Sequence, residues 1–139
     1  MIKLVENEIT IEEYMYLRAK VGWNKLSINQ SESAIGHSLF NVKAIDEQGN
    51  IIGMGRIVGD GAVICYIQDL IVIPEAQGKR VGSAIIDRLI KFVKDIKEEG
   101  TTMMLCLMCA KGREPFYEKH GFVARPTDKL GPGMIQYMV

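Results

Sequence analysis

The run from Asp69 to Ser83 restricts this chain more than any other stretch. Leu70 to Ile73 is short, apolar and β-branched, which suits a buried strand better than a helix. Pro74 stops that strand. Gln77-Gly78-Lys79-Arg80-Val81-Gly82-Ser83 then places two glycines, two cations and a serine where a long helix must begin. The helix is read as Lys79 to Glu99, with Val81, Ile85, Leu89, Phe92, Val93 and Ile96 on one apolar stripe. Helix starts carry unpaired N–H groups and partial positive charge, so they attract anions. Glycine lets a bulky anion approach the backbone closely. The stretch therefore reads as a pyrophosphate cradle.

The segments before it supply most of a sheet. Ile2 to Val5 reads as an edge strand. Thr10-Ile11-Glu12-Glu13 is a capping box that opens a helix carrying Tyr14, Leu17 and Val21 on its apolar face, with Gly22 at its end. Trp23 to Gln30 is polar and irregular, and Ser31 or Ser33 is expected to cap a second helix running to His37. Phe40 to Ile45 and Ile51 to Val58 flank an Asp46 to Asn50 turn and read as a hairpin. Gly53 and Gly55 leave one face of the second strand bare, for close packing or for a ligand. Ala62 to Ile73 is the long central strand. Gln68 and Asp69 interrupt its apolar run, and burying such groups unpaired costs a few kcal/mol.

Past the cradle helix, Thr101 to Met108 reads as a buried strand and Glu114 to His120 as a short helix with Pro115 in its first turn. Phe122 to Arg125 and Met134 to Val139 are expected to be two final strands. The order β, α, α, β, β, β, α, β, α, β, β implies an α/β (α+β) chain with a mixed sheet and helices on both faces. At 139 residues it is expected to be a single domain, residues 1–139.

Composition removes several function classes. The chain has 17 basic and 17 acidic residues, so no basic field supports nucleic-acid binding. No apolar run approaches the roughly 20 residues that cross a bilayer, and the N-terminus lacks signal-peptide character, so no membrane partner and a cytoplasmic location are expected. Cys65, Cys106 and Cys109 read as buried free thiols. Cys106 and Cys109 form a C-x-x-C, but no second ligand pair accompanies it, so no metal is expected.

Three phosphate loops compete for the cradle. The G-x-x-x-x-G-K-[ST] loop fails at Arg80, and no G-x-G-x-x-G is present. The third, the Gln/Arg-x-x-Gly-x-Gly/Ala loop of acyl-CoA-dependent N-acyltransferases, is matched at Gln77, Gly78 and Gly82. Arg80 stands where that family usually has glycine. Glu114-Pro115-Phe116-Tyr117-Glu118-Lys119-His120-Gly121-Phe122 resembles the family's Phe-Tyr-Glu-Lys-x-Gly-Phe signature. The chain thus resembles the GNAT superfamily of N-acetyltransferases, most closely from about Ala62 to Phe122.

The resemblance implies a GNAT-type fold, a mixed and mostly antiparallel sheet splayed between its fourth and fifth strands. It implies acetyl-CoA as donor, with CoA as co-product. Leu70, Ile71 and Val72 would offer backbone groups to the pantetheine arm. Gln77, Gly78, Lys79, Arg80, Val81, Gly82 and Ser83 would surround the pyrophosphate, and Lys79 or Arg80 would meet the ribose 3′-phosphate. A right-handed helix tolerates arginine, so Arg80 is not expected to disturb helix entry. Backbone N–H groups at a bulge in the central strand would polarise the thioester carbonyl. Tyr117 occupies the family's usual acid position. Asp69, the only carboxylate of the central strand, is the candidate base, with a water chain as the alternative.

The acceptor is expected to be a small primary amine, because the Cys109 to Arg113 link resembles the branch containing amino-sugar and arylalkylamine acetyltransferases. A peptide or protein acceptor, or a non-catalytic acyl-CoA sensor, are the alternatives. Relatives are often dimers, and the terminal strands are free to pair between chains, so a homodimer stays open.

Overall fold

Hydrogen-bonded sheet accounts for most of the chain's centre, and its order is the sequence order, β1-β2-β3-β4-β5. The computed structural model describes residues 1–139. The strands are β1 (Lys3–Glu6), β2 (Phe40–Ile45), β3 (Ile51–Gly59), β4 (Ile64–Val72) and β5 (Met104–Leu107). The helices are α1 (Ile11–Lys20), α2 (Ile28–Gly36), α3 (Val81–Ile96) and α4 (Glu114–Lys119), with a single 3-10 turn at Pro74–Ala76. The chain divides into two compact units, Met1–Cys106 and Leu107–Val139.

In the first unit, β1 to β4 form an antiparallel meander. β5 joins β4 in parallel: the Met104 N–H donates to the Val63 carbonyl and the Cys106 thiol lies against the Cys65 carbonyl. Its four residues thus start against the beginning of β4, and the last residues of β4 run on past them. This is the mixed, mostly antiparallel sheet expected, opening between the fourth and fifth strands.

Successive residues of a strand face opposite ways, and β3 shows what each face carries. A Cβ on Gly53 would stand 2.7 Å from the Ile71 carbonyl oxygen and 3.0 Å from Ile85 Cδ1. One on Gly55 would stand 2.7 Å from both Ile85 Cγ2 and Leu89 Cδ1. The bare face of β3 is therefore filled by α3, not by a ligand. Arg56, next to Gly55, points the other way and donates to the Ala34 carbonyl of α2 at 3.1 Å. So α3 covers one face, and α1 and α2 the other. Ile85, Ile86 and Leu89 are fully buried beneath α3, as are Tyr14 and Leu17 beneath α1.

The Thr10–Glu13 capping box forms as expected, with bonds of 2.9 and 3.1 Å. The second helix does not start at Ser31 or Ser33. Ser27 caps it, through a second box with Gln30 (both bonds 3.0 Å), and Ser31 lies buried inside, donating to the Ser27 carbonyl. The long helix begins at Val81 rather than Lys79, for a backbone reason described below, and ends at Ile96.

In the second unit α4 matches its expected span, but neither Phe122 to Arg125 nor Met134 to Val139 is a strand. The intervening residues close on themselves instead: Thr127 N–H donates to the Leu130 carbonyl at 2.8 Å, and Arg125 Nε to the Gly131 carbonyl at 2.6 Å. Neither flank acquires a ladder partner, and a strand without one is not stable. Cys109 also departs from expectation, being exposed, while Cys65 is buried.

The β3–α3 contact gives a direct test. Gly53→Ala should cost about 1–3 kcal/mol, because the rigid Ile71 carbonyl cannot move aside. Gly36→Ala, whose Cβ would meet nothing within 4 Å, should leave the melting temperature unchanged or slightly raised. Thermal melts of the two variants side by side check this.

Candidate active site

The centre of β4 is where the sequence placed a polar pair, and there the ladder breaks. Arg56 pairs with Gln68 and Met54 with Ile71, so Gly55 alone faces two residues, Asp69 and Leu70. Two residues against one is a β-bulge, which bends the strand and takes backbone groups out of the ladder. Asp69 adopts φ +64°, in the left-handed region, which aspartate enters more easily than most residues.

The side chain of Asp69 is buried and accepts three hydrogen bonds. Its Oδ2 accepts from Tyr14 Oη at 2.6 Å and Arg56 Nε at 3.0 Å; its Oδ1 accepts from Arg18 Nη1 at 2.9 Å. Tyr14 and Arg18 lie one turn apart on α1, hence on one face. Burial, reinforced by the bond to the Asp69 carboxylate, pushes the Tyr14 phenol up to about 12. Arg18 continues outward, donating to the Asn24 carbonyl at 3.0 Å and lying 5.3 Å from the Trp23 ring centre. The candidate base expected at Asp69 is thus a carboxylate with three donors already on it.

β4 leads through Pro74–Ala76 into the cradle. The Gln77 side-chain amide donates back to the Val72 carbonyl at 3.0 Å. That bond commits the side chain to shaping the loop. Gly78 has φ +78°, with nothing within 4 Å of where a Cβ would sit. Arg80 has φ +65° and is the N-cap of α3, without a side-chain cap. This is why the helix starts at Val81, and why glycine suits position 80: arginine here is a left-handed residue, not part of a right-handed helix.

The first bond of α3 runs from Ala84 N–H to the Arg80 carbonyl, at 3.1 Å. The N–H groups of Gly78, Lys79, Arg80, Val81 and Gly82 find no acceptor in the protein. The Lys79 and Arg80 side chains are exposed and likewise without a partner. Free consecutive N–H groups at a helix start, with two cations beside them, fit a pyrophosphate. Leu70, Ile71 and Val72 lie directly upstream, on the stretch of β4 that runs past β5.

A groove of about 1000 Å³ lies on the hairpin side of the same loop, lined by Tyr16, Asp46, Asn50, Ile73, Lys79 and Arg80 among others. Glu12, Glu13, Glu47 and Glu75 also line it. Three of these carboxylates are ion-paired, Glu13 with Lys43, Glu47 with the N-terminus and Glu75 with Lys20.

In the second unit, Tyr117 sits on α4 with its ring edge-on to Phe116 (5.1 Å) and Phe122 (5.9 Å). Burial raises its phenol above the usual value near 10, so it holds its proton through neutral pH. The residues that sequence reasoning missed are Tyr14, Arg18 and Arg56. The available signal was Arg56 following two glycines in an otherwise apolar strand, since a buried cation demands a carboxylate.

A bulged central strand that runs into a helix start with free N–H groups is an arrangement suited to an anionic ligand. The model of the acetyltransferase (GNAT) domain matches residues 37–124, and the chain belongs to that family of acetyl-transferring enzymes. A Staphylococcus aureus protein of unknown function, described as a probable acetyltransferase, superposes with a TM-score of 0.84 at 31% identity, over 99% of this chain and 100% of that one. A GNAT-family acetyltransferase from Streptococcus pneumoniae gives 0.83 at 28%, over 99% and 98%. A histone acetyltransferase of Glycine max is 30% identical over 136 residues, which cover 89% of this chain and 56% of that protein.

Two outcomes follow for the site residues. Arg80→Gly should stabilise the fold by about 0.5–1 kcal/mol by relieving the left-handed arginine, as read by chemical denaturation. Tyr14, ordinarily near 10 when unfolded and about 12 when folded, stabilises the fold fully below pH 10. That contribution is lost as pH rises from about 10 to 12, by roughly 2–3 kcal/mol. Tyr14→Phe should flatten this alkaline slope in a denaturation series.

Proposed function

We propose that the protein transfers the acetyl group of acetyl-CoA directly to the primary amine of a small molecule. The observation that carries the donor assignment is the row of unpaired N–H groups from Gly78 to Gly82, flanked by Lys79 and Arg80, at the end of a bulged strand. Acetyl-CoA, when bound, supplies an activated thioester. Gly78 to Gly82 bind its pyrophosphate, with Ser83 in the same first turn of α3, and Lys79 or Arg80 take a further phosphate. Backbone groups of Leu70, Ile71 and Val72 align the pantetheine arm as an added strand would. N–H groups released by the bulge polarise the thioester carbonyl. Tyr117 keeps a proton available for the departing thiolate.

The small-amine reading rests on the likeness of the Cys109 to Arg113 link to the amino-sugar and arylalkylamine branch. The similarity to the Glycine max histone acetyltransferase favours a second reading, a lysine side chain of a protein. Initial rates with a panel of amino sugars, arylalkylamines, polyamines and histone-tail peptides separate the two: the small-amine reading predicts the highest kcat/KM among the first three groups.

Acetyl-CoA should bind with a micromolar Kd, near −8 kcal/mol, in a calorimetric titration; absence of heat and of a thermal shift would remove the donor. Gly82→Glu should abolish that binding by setting a carboxylate among the phosphates. Glutamate is at home in a helix, so the variant's melting curve should stay close to wild type. Tyr117→Phe should lower kcat about 100-fold with acetyl-CoA affinity retained.

A further inference from the structure

The Asp69 carboxylate carries features that stability alone does not explain. Its backbone is left-handed, in the middle of a central strand. Its side chain is fully buried between two guanidinium groups that are themselves 13% and 9% exposed. Arg18 Nε is buried with no partner: the arginine takes the orientation that serves Asp69 and Asn24, and leaves its own third edge unsatisfied. Buried unpaired donors and left-handed non-glycine residues are both costly, and they persist where a surrounding network dictates the geometry.

The network converges on one point from every neighbouring element. α1 contributes Tyr14 and Arg18, and β3 contributes Arg56. Arg56 is itself fixed by the Ala34 carbonyl of α2 and by Ser38 Oγ at 3.3 Å. Through Arg18, the segment holding Trp23 and Asn24 is attached to the same carboxylate. What all of them hold is the residue whose conformation creates the bulge, directly before the Leu70 and Ile71 backbone.

We propose that Asp69 is a positioning residue and not the general base: with Tyr14, Arg18 and Arg56 it locks the β4 bulge, and so aims the backbone N–H of Leu70 toward the thioester carbonyl. This rests on the acetyl-CoA reading above. The carboxylate has three donors on its two oxygens and its side chain is 0% exposed, so a substrate amine reaches it only by moving the side chains that cover it. Tyr14 and Arg18 set the geometry without meeting substrate.

Tyr14→Phe removes the 2.6 Å bond and keeps the ring, the charges and Asp69 itself. A positioning role predicts a kcat about tenfold lower, a KM for acetyl-CoA within about twofold of wild type, and displaced amide NMR signals for Leu70 and Ile71. The displacement is one part of the loss that follows when an oxyanion donor is removed outright. Unchanged kcat and unmoved amides overturn the proposal.

Asp69→Asn is the second arm. Asparagine also tolerates the left-handed backbone and still accepts a bond, but it lacks the charge between the two guanidinium groups, so it should recover only part of the kcat lost in Asp69→Ala, and keep the wild-type pH dependence of kcat/KM. Disappearance of the acidic limb in Asp69→Asn makes Asp69 the base and overturns the proposal. Acetyl-CoA binding by calorimetry is measured on every variant. Failure of the wild type to bind condemns the donor reading, and wild-type binding with an unresponsive Tyr14→Phe condemns only the positioning role.

Discussion

The carboxylate of Asp69 is the point on which the first unit depends. Removing it would leave two guanidinium groups facing each other out of water, a loss of about 3–5 kcal/mol for a broken buried pair. Such pairs contribute little net stability over a well-packed apolar substitute. Their value here is geometric. One side chain fixes α1, the Ala34 end of α2, β3 and β4 relative to a single strained residue. The opposite face of the sheet is fixed by packing instead, with α3 set close by Gly53 and Gly55. Polar bonds therefore position the bulge, and glycine contacts position the helix that begins the cradle.

These two constraints meet in the loop between β4 and α3. The loop is short and held at both ends, by Gln77 on Val72 and by the buried Val81. Its N–H groups are consequently held in place by the fold itself. Arg80 introduces strain at this point. A positively charged side chain placed by a left-handed N-cap differs from one placed by a helix, and it lies on the rim shared by the cradle and the hairpin groove.

Much of this was legible in the sequence, and the reasons are local. Thr10-x-x-Glu13 announced α1, the Asp46 to Asn50 turn announced the hairpin, and Pro74 with Gly78 and Gly82 announced the loop and helix start that follow β4. Ser27-x-x-Gln30 was equally explicit as a box, but no apolar periodicity follows it to draw attention. The left-handed Arg80 was hidden because propensity describes the helix interior, whereas the N-cap obeys different rules. The Tyr14–Arg18–Arg56–Asp69 cluster joins residues up to 55 positions apart, and no one-dimensional pattern encodes that. The terminal strands failed for the opposite reason: Met134 to Val139 has the composition of a strand but no partner to pair with.

The most direct measurement is an amide NMR titration of the labelled protein with acetyl-CoA. Binding through the cradle and the bulged strand predicts the largest shifts at Leu70, Ile71 and Val72 and from Gly78 to Ser83, saturating with a micromolar Kd. Shifts confined to Glu12, Tyr16, Asn50 and the hairpin groove, with the cradle amides unmoved, would contradict it.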